Sequence, residues 1–276
     1  MKQVGAKDMC GNKEAPLGVF DSGLGGLTVV REILRQMPHE SIIYFGDTAH
    51  VPYGPRQPQE LKGFAGNITD YLVKQGCKMI FIACNTSTSL AYEDLKKAYA
   101  LPIIGVIEPG VEKALGITRS QRIGVIGTEA TIKSGAYQKL ILAKNSTAQV
   151  YAEACPLLVP LVEKGILEGA EAKRGVAACL KPLLDKKIDT LILGCTHYPF
   201  LSSVISKIMG AEVSLVDPAR ETVARARDKL RELNLEAETA QPVYRYIASK
   251  EPESFQRRGS AFLGRDLGMV KEVHLD

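Results

Sequence analysis

The chain has 276 residues, 45% of them hydrophobic and 24% charged, with a net charge of +4; it can bury one large core or two small ones, and it is neither a disordered chain nor a strongly basic one. Its densest basic stretch, residues 220–231, interleaves Arg225, Arg227 and Lys229 with Glu221 and Asp228, which reads as a solvated helix face, so nucleic acid is not expected as a primary partner. No apolar run approaches a membrane span, the first sixteen residues are polar, and six cysteines without a C-x-x-C pair exclude a disulfide scaffold or a zinc ribbon; a soluble, cytoplasmic protein with reduced thiols and no membrane partner is expected.

In chain order, a strand is predicted over Leu17–Asp21 and a helix over Leu27–Gln36, then a strand over 42–45 and a helix over 59–75. A strand over 78–83 and a helix over 87–99 follow, then a strand over 103–107 and a helix near Val111. The series restarts with a strand over 122–126 and continues with strands at 148–151, 190–193 and 212–216. Alternation of this kind implies parallel sheets flanked by helices, with ligands gathering beyond the carboxyl ends of the strands.

Landmarks recur between the two series at offsets of 106 to 111 residues: Gly18 with Gly124, Glu108 with Asp217, and Cys84 with Cys195. Each of these two cysteines ends an apolar run and leads into hydroxyl and amide residues. A thiol between a strand end and a helix start meets the positive end of the helix dipole and free N–H donors, both of which favour thiolate. Around Cys84 the run Asn85-Thr86-Ser87-Thr88-Ser89 offers donors for an anion, while His197, two residues after Cys195, can tune that thiol or relay its proton. Asp21-Ser22, Asp47-Thr48, Glu108, Gly127-Thr128 and Asp217 also fall just past apolar strands, where caps and turns are the competing explanation. Cys77 and Cys179, without polar company, read as packing residues.

Other chemistries fit less well. Gly23-Leu24-Gly25-Gly26-Leu27-Thr28 follows a strand as a dinucleotide loop would, but Thr28 stands where the third glycine belongs. A metal pair at Cys195 and His197 lacks further clustered ligands, and a cysteine hydrolase needs only one thiol. Two thiols at matched places suit a reaction that needs a base on one face of a carbon and an acid on the other.

Val19-Phe20-Asp21-Ser22-Gly23, Val51-Pro52-Tyr53-Gly54, Ala83-Cys84-Asn85-Thr86, Cys155-Pro156, Val159-Pro160-Leu161-Val162-Glu163 and Gly194-Cys195-Thr196-His197-Tyr198-Pro199 together resemble the glutamate racemases of the cofactor-independent aspartate/glutamate racemase superfamily. The resemblance begins after residue 16, and the end beyond Gly264 lies outside it. It implies two similar α/β domains, each a mostly parallel sheet flanked by helices, with the active site in the interdomain cleft. One domain would comprise residues 1–108 plus 219–276 and the other residues 109–218, with the prolines after Glu108 and Asp217 breaking helices at the crossings. It implies interconversion of L- and D-glutamate for peptidoglycan, with no cofactor and no metal, in a homodimer. Cys84 and Cys195 would be the two acid/base thiols, with Asp21 assisting the first and Glu163 and His197 the second. Asp21, Ser22, Tyr53, Gly54, Asn85, Thr86, Thr196 and His197 would contact glutamate.

Overall fold

The structure, a computed structural model, describes residues 12–275. The chain opens with β1 (Leu17–Asp21), α1 (Leu27–Gln36), β2 (Ile42–Gly46), α2 (Pro58–Lys74), β3 (Met79–Ile82), α3 (Asn85–Ala98) and β4 (Ile103–Gly105). It continues through α4 (Ile107–Ile117), β5 (Arg122–Gly127), α5 (Glu129–Ser134), α6 (Ala136–Lys144), β6 (Gln149–Ala154), α7 (Leu158–Glu163) and α8 (Gly169–Leu184). After β7 (Thr190–Gly194) come a 3-10 turn (Tyr198–Leu201), α9 (Ser202–Met209) and β8 (Ser214–Val216). The last elements are α10 (Pro218–Glu232), β9 (Tyr244–Ala248), α11 (Pro252–Leu263) and β10 (Val270–Glu272).

These strands form two sheets, one ordered β10-β9-β2-β1-β3-β4 and the other β6-β5-β7-β8, with parallel pairing at every interface. The block β2-β1-β3-β4 has the same order as β6-β5-β7-β8, so the repeat read from sequence offsets is a repeat of topology. It makes β3 and β7 equivalent, and these are the strands whose ends carry Cys84 and Cys195. All residues of β1, β2, β3 and β7 are buried. Helices cover both faces, which is why these strands read as unbroken apolar runs rather than alternating ones. In the first sheet Leu17, Val19, Tyr44 and Phe81 pack on one face, while Phe20, Ile43, Ile80 and Ile82 pack on the other.

Three expectations need correction. Pro109 lies within the first turn of α4, and Pro218 is the first residue of α10, capped by Asp217 through the Ala219 N–H at 3.0 Å. First-turn N–H groups have no acceptor within the helix, so a proline there starts a helix rather than breaking it. β9 and β10 were not anticipated; they extend the first sheet past β2 and return the C-terminal region to it. Reduced thiols are also not universal: Cys155, at the turn between β6 and α7, is disulfide-bonded to Cys179 of α8, with 5.4 Å between their Cα atoms, a separation suited to the bond. Cys77, Cys84 and Cys195 are free and buried, and Cys10 lies outside the described residues. Among the described residues no helix is long and apolar enough to cross a membrane.

Candidate active site

Cys84 occupies the N-cap of α3, and its Sγ accepts the Ser87 N–H at 3.5 Å. Thr88 ties the same corner, donating its hydroxyl to the carbonyls of Ile82 (3.1 Å) and Cys84 (2.9 Å). The helix start does not make this thiol acidic. Burial first, and then the charge of Asp21, push it up to about 12 against the opposing pull of Ser87. Desolvation outweighs one N–H donor because only 4% of the residue is exposed. Asp21, at the end of β1, is fully buried; its Oδ2 accepts the N–H groups of Gly23 (3.1 Å) and Gly26 (3.0 Å). Its Oδ1 accepts the Thr196 hydroxyl from the other half of the molecule at 3.3 Å.

Cys195 directly follows β7, with its Sγ 3.8 Å from His197 Nδ1. The imidazole Nε2 lies 2.7 Å from Glu163 Oε1 at the end of α7. Burial alone would lower the proton affinity of His197, but Cys195 and Glu163 outweigh it and raise the group to about 10. Burial likewise disfavours the Glu163 carboxylate, yet His197 and then Arg258 hold it below its usual range. The result is a line of groups, thiol, imidazolium and carboxylate, in which a proton can be taken up or returned at Cys195.

Both thiols open onto one cavity of about 230 Å³, also lined by Ser22, Tyr53, Gly54, Asn85, Thr86, Thr196 and His197. Of the expected contact residues only Asp21 does not line it, lying beneath the loop that it organises; Glu163 stands behind His197. Sequence reasoning missed the apolar wall, which Val51, Pro52, Pro156, Val159 and Pro160 supply, because such side chains carry no polar signal of their own. Asp47, Glu108 and Asp217 stay outside the cavity. Asp47 accepts the Tyr53 hydroxyl at 2.6 Å, Glu108 pairs with Arg225 and Lys144 at the surface, and Asp217 caps α10.

Polar roles at the wall follow from these partners. Tyr53 has spent its proton on Asp47, so its hydroxyl can only accept from a ligand. Asn85 Oδ1 accepts the Tyr137 hydroxyl of α6 at 2.6 Å, which turns its amide N–H groups into the free donors. Thr86, Thr128 and Thr131 share their hydroxyls at 2.9 to 3.2 Å. Gly25 brings the two halves together: a Cβ there would lie 2.3 Å from Thr196 Oγ1 and 2.6 Å from His197 Nδ1. Among the described residues, no three His, Cys, Asp or Glu side chains gather to hold a metal ion.

Paired thiols, a proton relay and an anion-friendly cavity between two repeated sheets describe an amino-acid racemase. The sequence model of the Asp/Glu/hydantoin racemase family matches residues 18–226. The chain is 45% identical over 261 residues to a glutamate racemase of Geobacter metallireducens and 47% identical over 262 residues to one of Corynebacterium diphtheriae, in each case covering 94% of this chain and 97% of the relative. It also matches the crystal structure of a Francisella tularensis glutamate racemase in complex with D-glutamate, with a TM-score of 0.91 and 38% identity over 96% of this chain and 99% of that one. The chain belongs to the Asp/Glu/hydantoin racemase family.

Proposed function

We propose that this enzyme interconverts L- and D-glutamate by a two-base reaction at Cys84 and Cys195 that uses no cofactor. The observation carrying this reading is the delivery of two buried thiols, from equivalent strand ends of two sheets, into one cavity. From L-glutamate, the Cys195 thiolate takes the α-proton while His197 stands beside it as the imidazolium. The electron pair left on the α-carbon then takes the proton of the Cys84 thiol from the opposite face. The products are D-glutamate, a Cys195 thiol and a Cys84 thiolate, and the reverse reaction runs from that state. Burial and Asp21 suit Cys84 to enter as the acid, and the positive charge of His197 suits Cys195 to enter as the base. Asp21 assists proton exchange at Cys84, and Glu163 with His197 assists it at Cys195.

The donors fit a ligand with two carboxylates. The Asn85 amide, the Thr86 and Ser22 hydroxyls and the backbone at Gly54 and Thr196 provide them, while the Tyr53 oxygen suits the ammonium. The apolar wall matters because the α-proton lies beside an ionised carboxylate, so charge developing on the carbon must be met by fixed donors rather than water. The same reading divides the domains at 108/109 and 218/219, closes them on glutamate, and makes the protein a cytoplasmic homodimer that supplies D-glutamate for peptidoglycan; gel filtration checks the dimer.

The test is racemisation of L-glutamate, D-glutamate and L-aspartate in D₂O, followed by a chiral assay. Glutamate should racemise with solvent deuterium at the α-carbon, and Cys84→Ser and Cys195→Ser should each lower the rate by about 10²- to 10⁴-fold. Preference for aspartate, or full activity in either variant, overturns the proposal.

A further inference from the structure

Behind His197 the proton relay does not end at Glu163. Arg258, on α11 of the first domain's C-terminal segment, ion-pairs with Glu163 Oε2 and also donates to the Glu163 backbone carbonyl. The contact crosses between the sheets: α11 packs beside β9 and β10 of the first, while α7 belongs to the second. Two ring contacts fix α11 there. Phe255 lies 6.0 Å from Tyr44 of β2, and Phe262 lies 4.4 Å from Phe200 in the turn after His197.

We propose that Arg258 is a positioning residue for the Cys195 half of the reaction, holding the Glu163 carboxylate against His197 from the opposite domain. Four groups then stand in line: guanidinium, carboxylate, imidazolium and the Cys195 sulfur. A carboxylate with two cationic neighbours in contact keeps its orientation and its charge. Without the guanidinium, Glu163 is a half-buried carboxylate with one partner, free to swing away from His197 or to take its proton. Either change leaves Cys195 a poorer base and, in reverse, a poorer acid, while the Cys84 half is untouched. The inference rests on the two-thiol glutamate reading above.

The enantiomers have equal free energy in water, so any variant must lose kcat/KM equally in the two directions, and rates alone cannot show which half is hurt. Isotope effects can. In Arg258→Gln, kcat/KM for glutamate should fall roughly tenfold, by analogy with the loss of a partner that orients a metal-bound imidazole. The α-deuterium isotope effect on kcat/KM should rise above wild type for L-glutamate, whose hydrogen leaves to Cys195. It should drop toward one for D-glutamate, whose hydrogen leaves to Cys84 in a step no longer limiting. Arg258→Lys, which keeps the charge and one contact, should restore part of the rate and part of the isotope pattern; it carries the test if the glutamine variant does not fold. Equal isotope effects in the two directions, or an opposite asymmetry, overturn the inference. Failure of the wild-type enzyme to racemise glutamate would instead overturn the reading on which it rests.

Discussion

At Cys84 and His197 the same burial acts on opposite charges, and neighbours decide the outcome. Cys84 meets the carboxylate of Asp21 and stays a thiol, whereas His197 sits between Cys195 and Glu163 and keeps its proton. Both shifts tie folding to pH in the same sense. A histidine raised to about 10 from 6.5 holds a proton in the folded state that the unfolded chain has released. Its stabilisation is therefore complete below about pH 6.5 and is lost as the pH rises toward 10. The buried thiols Cys84 and Cys77, raised from 9.0 to about 12, act only above pH 9. Melting temperature should therefore fall between pH 6.5 and 9 in the wild type, and Glu163→Gln, which removes a main support of the imidazolium, should flatten that slope; a scan of both proteins by circular dichroism checks it. The two thiols are legible in sequence because each ends an apolar run, and His197 is legible through its place two residues after Cys195. Arg258 is not, since an arginine on a polar helix face looks like any other until the fold brings Glu163, 95 residues away, into contact.

Helix α6 acts on the first thiol's helix from across the cleft. The hydroxyl of Tyr137 is completely enclosed, and its bond to Asn85 Oδ1 at the start of α3 selects which end of that amide faces the cavity. Tyr137→Phe leaves a buried carbonyl oxygen without a partner, which costs about 1–3 kcal/mol. It also lets the amide turn, so KM for glutamate should rise more than kcat falls; steady-state kinetics with a thermal melt separates the two effects. Elements of the repeat were readable where period and polarity agree: β1 and α1 fall at the expected bounds, Leu17–Asp21 and Leu27–Gln36. β9 and β10 were not, because β10 has three residues, two of them exposed, and β9 begins with a partly exposed Tyr244 and an exposed Arg245, so neither produces the apolar run that marks an interior strand. The disulfide was hidden for a related reason: Cys155 and Cys179 are 24 residues apart, and only the packing of α8 against the end of β6 makes them neighbours.

For the molecule as a whole, one close approach between the two repeated units is Gly25 against Thr196 and His197. A methyl group there would overlap the side chains of Thr196 and His197, and relief requires those side chains to turn out of place or the units to move apart. Gly25→Ala should leave the far-ultraviolet circular dichroism spectrum unchanged and lower racemisation by about 10²-fold, the effect of displacing reacting groups by about an ångström. Retained activity would mean that neither the placement of these side chains nor this close approach is needed for turnover. That a cleft exists was legible from the duplication; how close its walls come was not, since the approach depends on a side chain that glycine lacks. The order in which the chain is laid down adds a consequence. Growing chains emerge N-terminus first, so a nascent polypeptide halted before Pro252 already contains both cysteines and the whole second sheet. It still lacks β10, and it lacks the helix whose arginine steadies Glu163. On the proposal that Arg258 steadies Glu163, competence at Cys195 would be among the last properties the molecule acquires during synthesis, and a fragment cut short of that helix should racemise glutamate poorly even where its remaining residues fold.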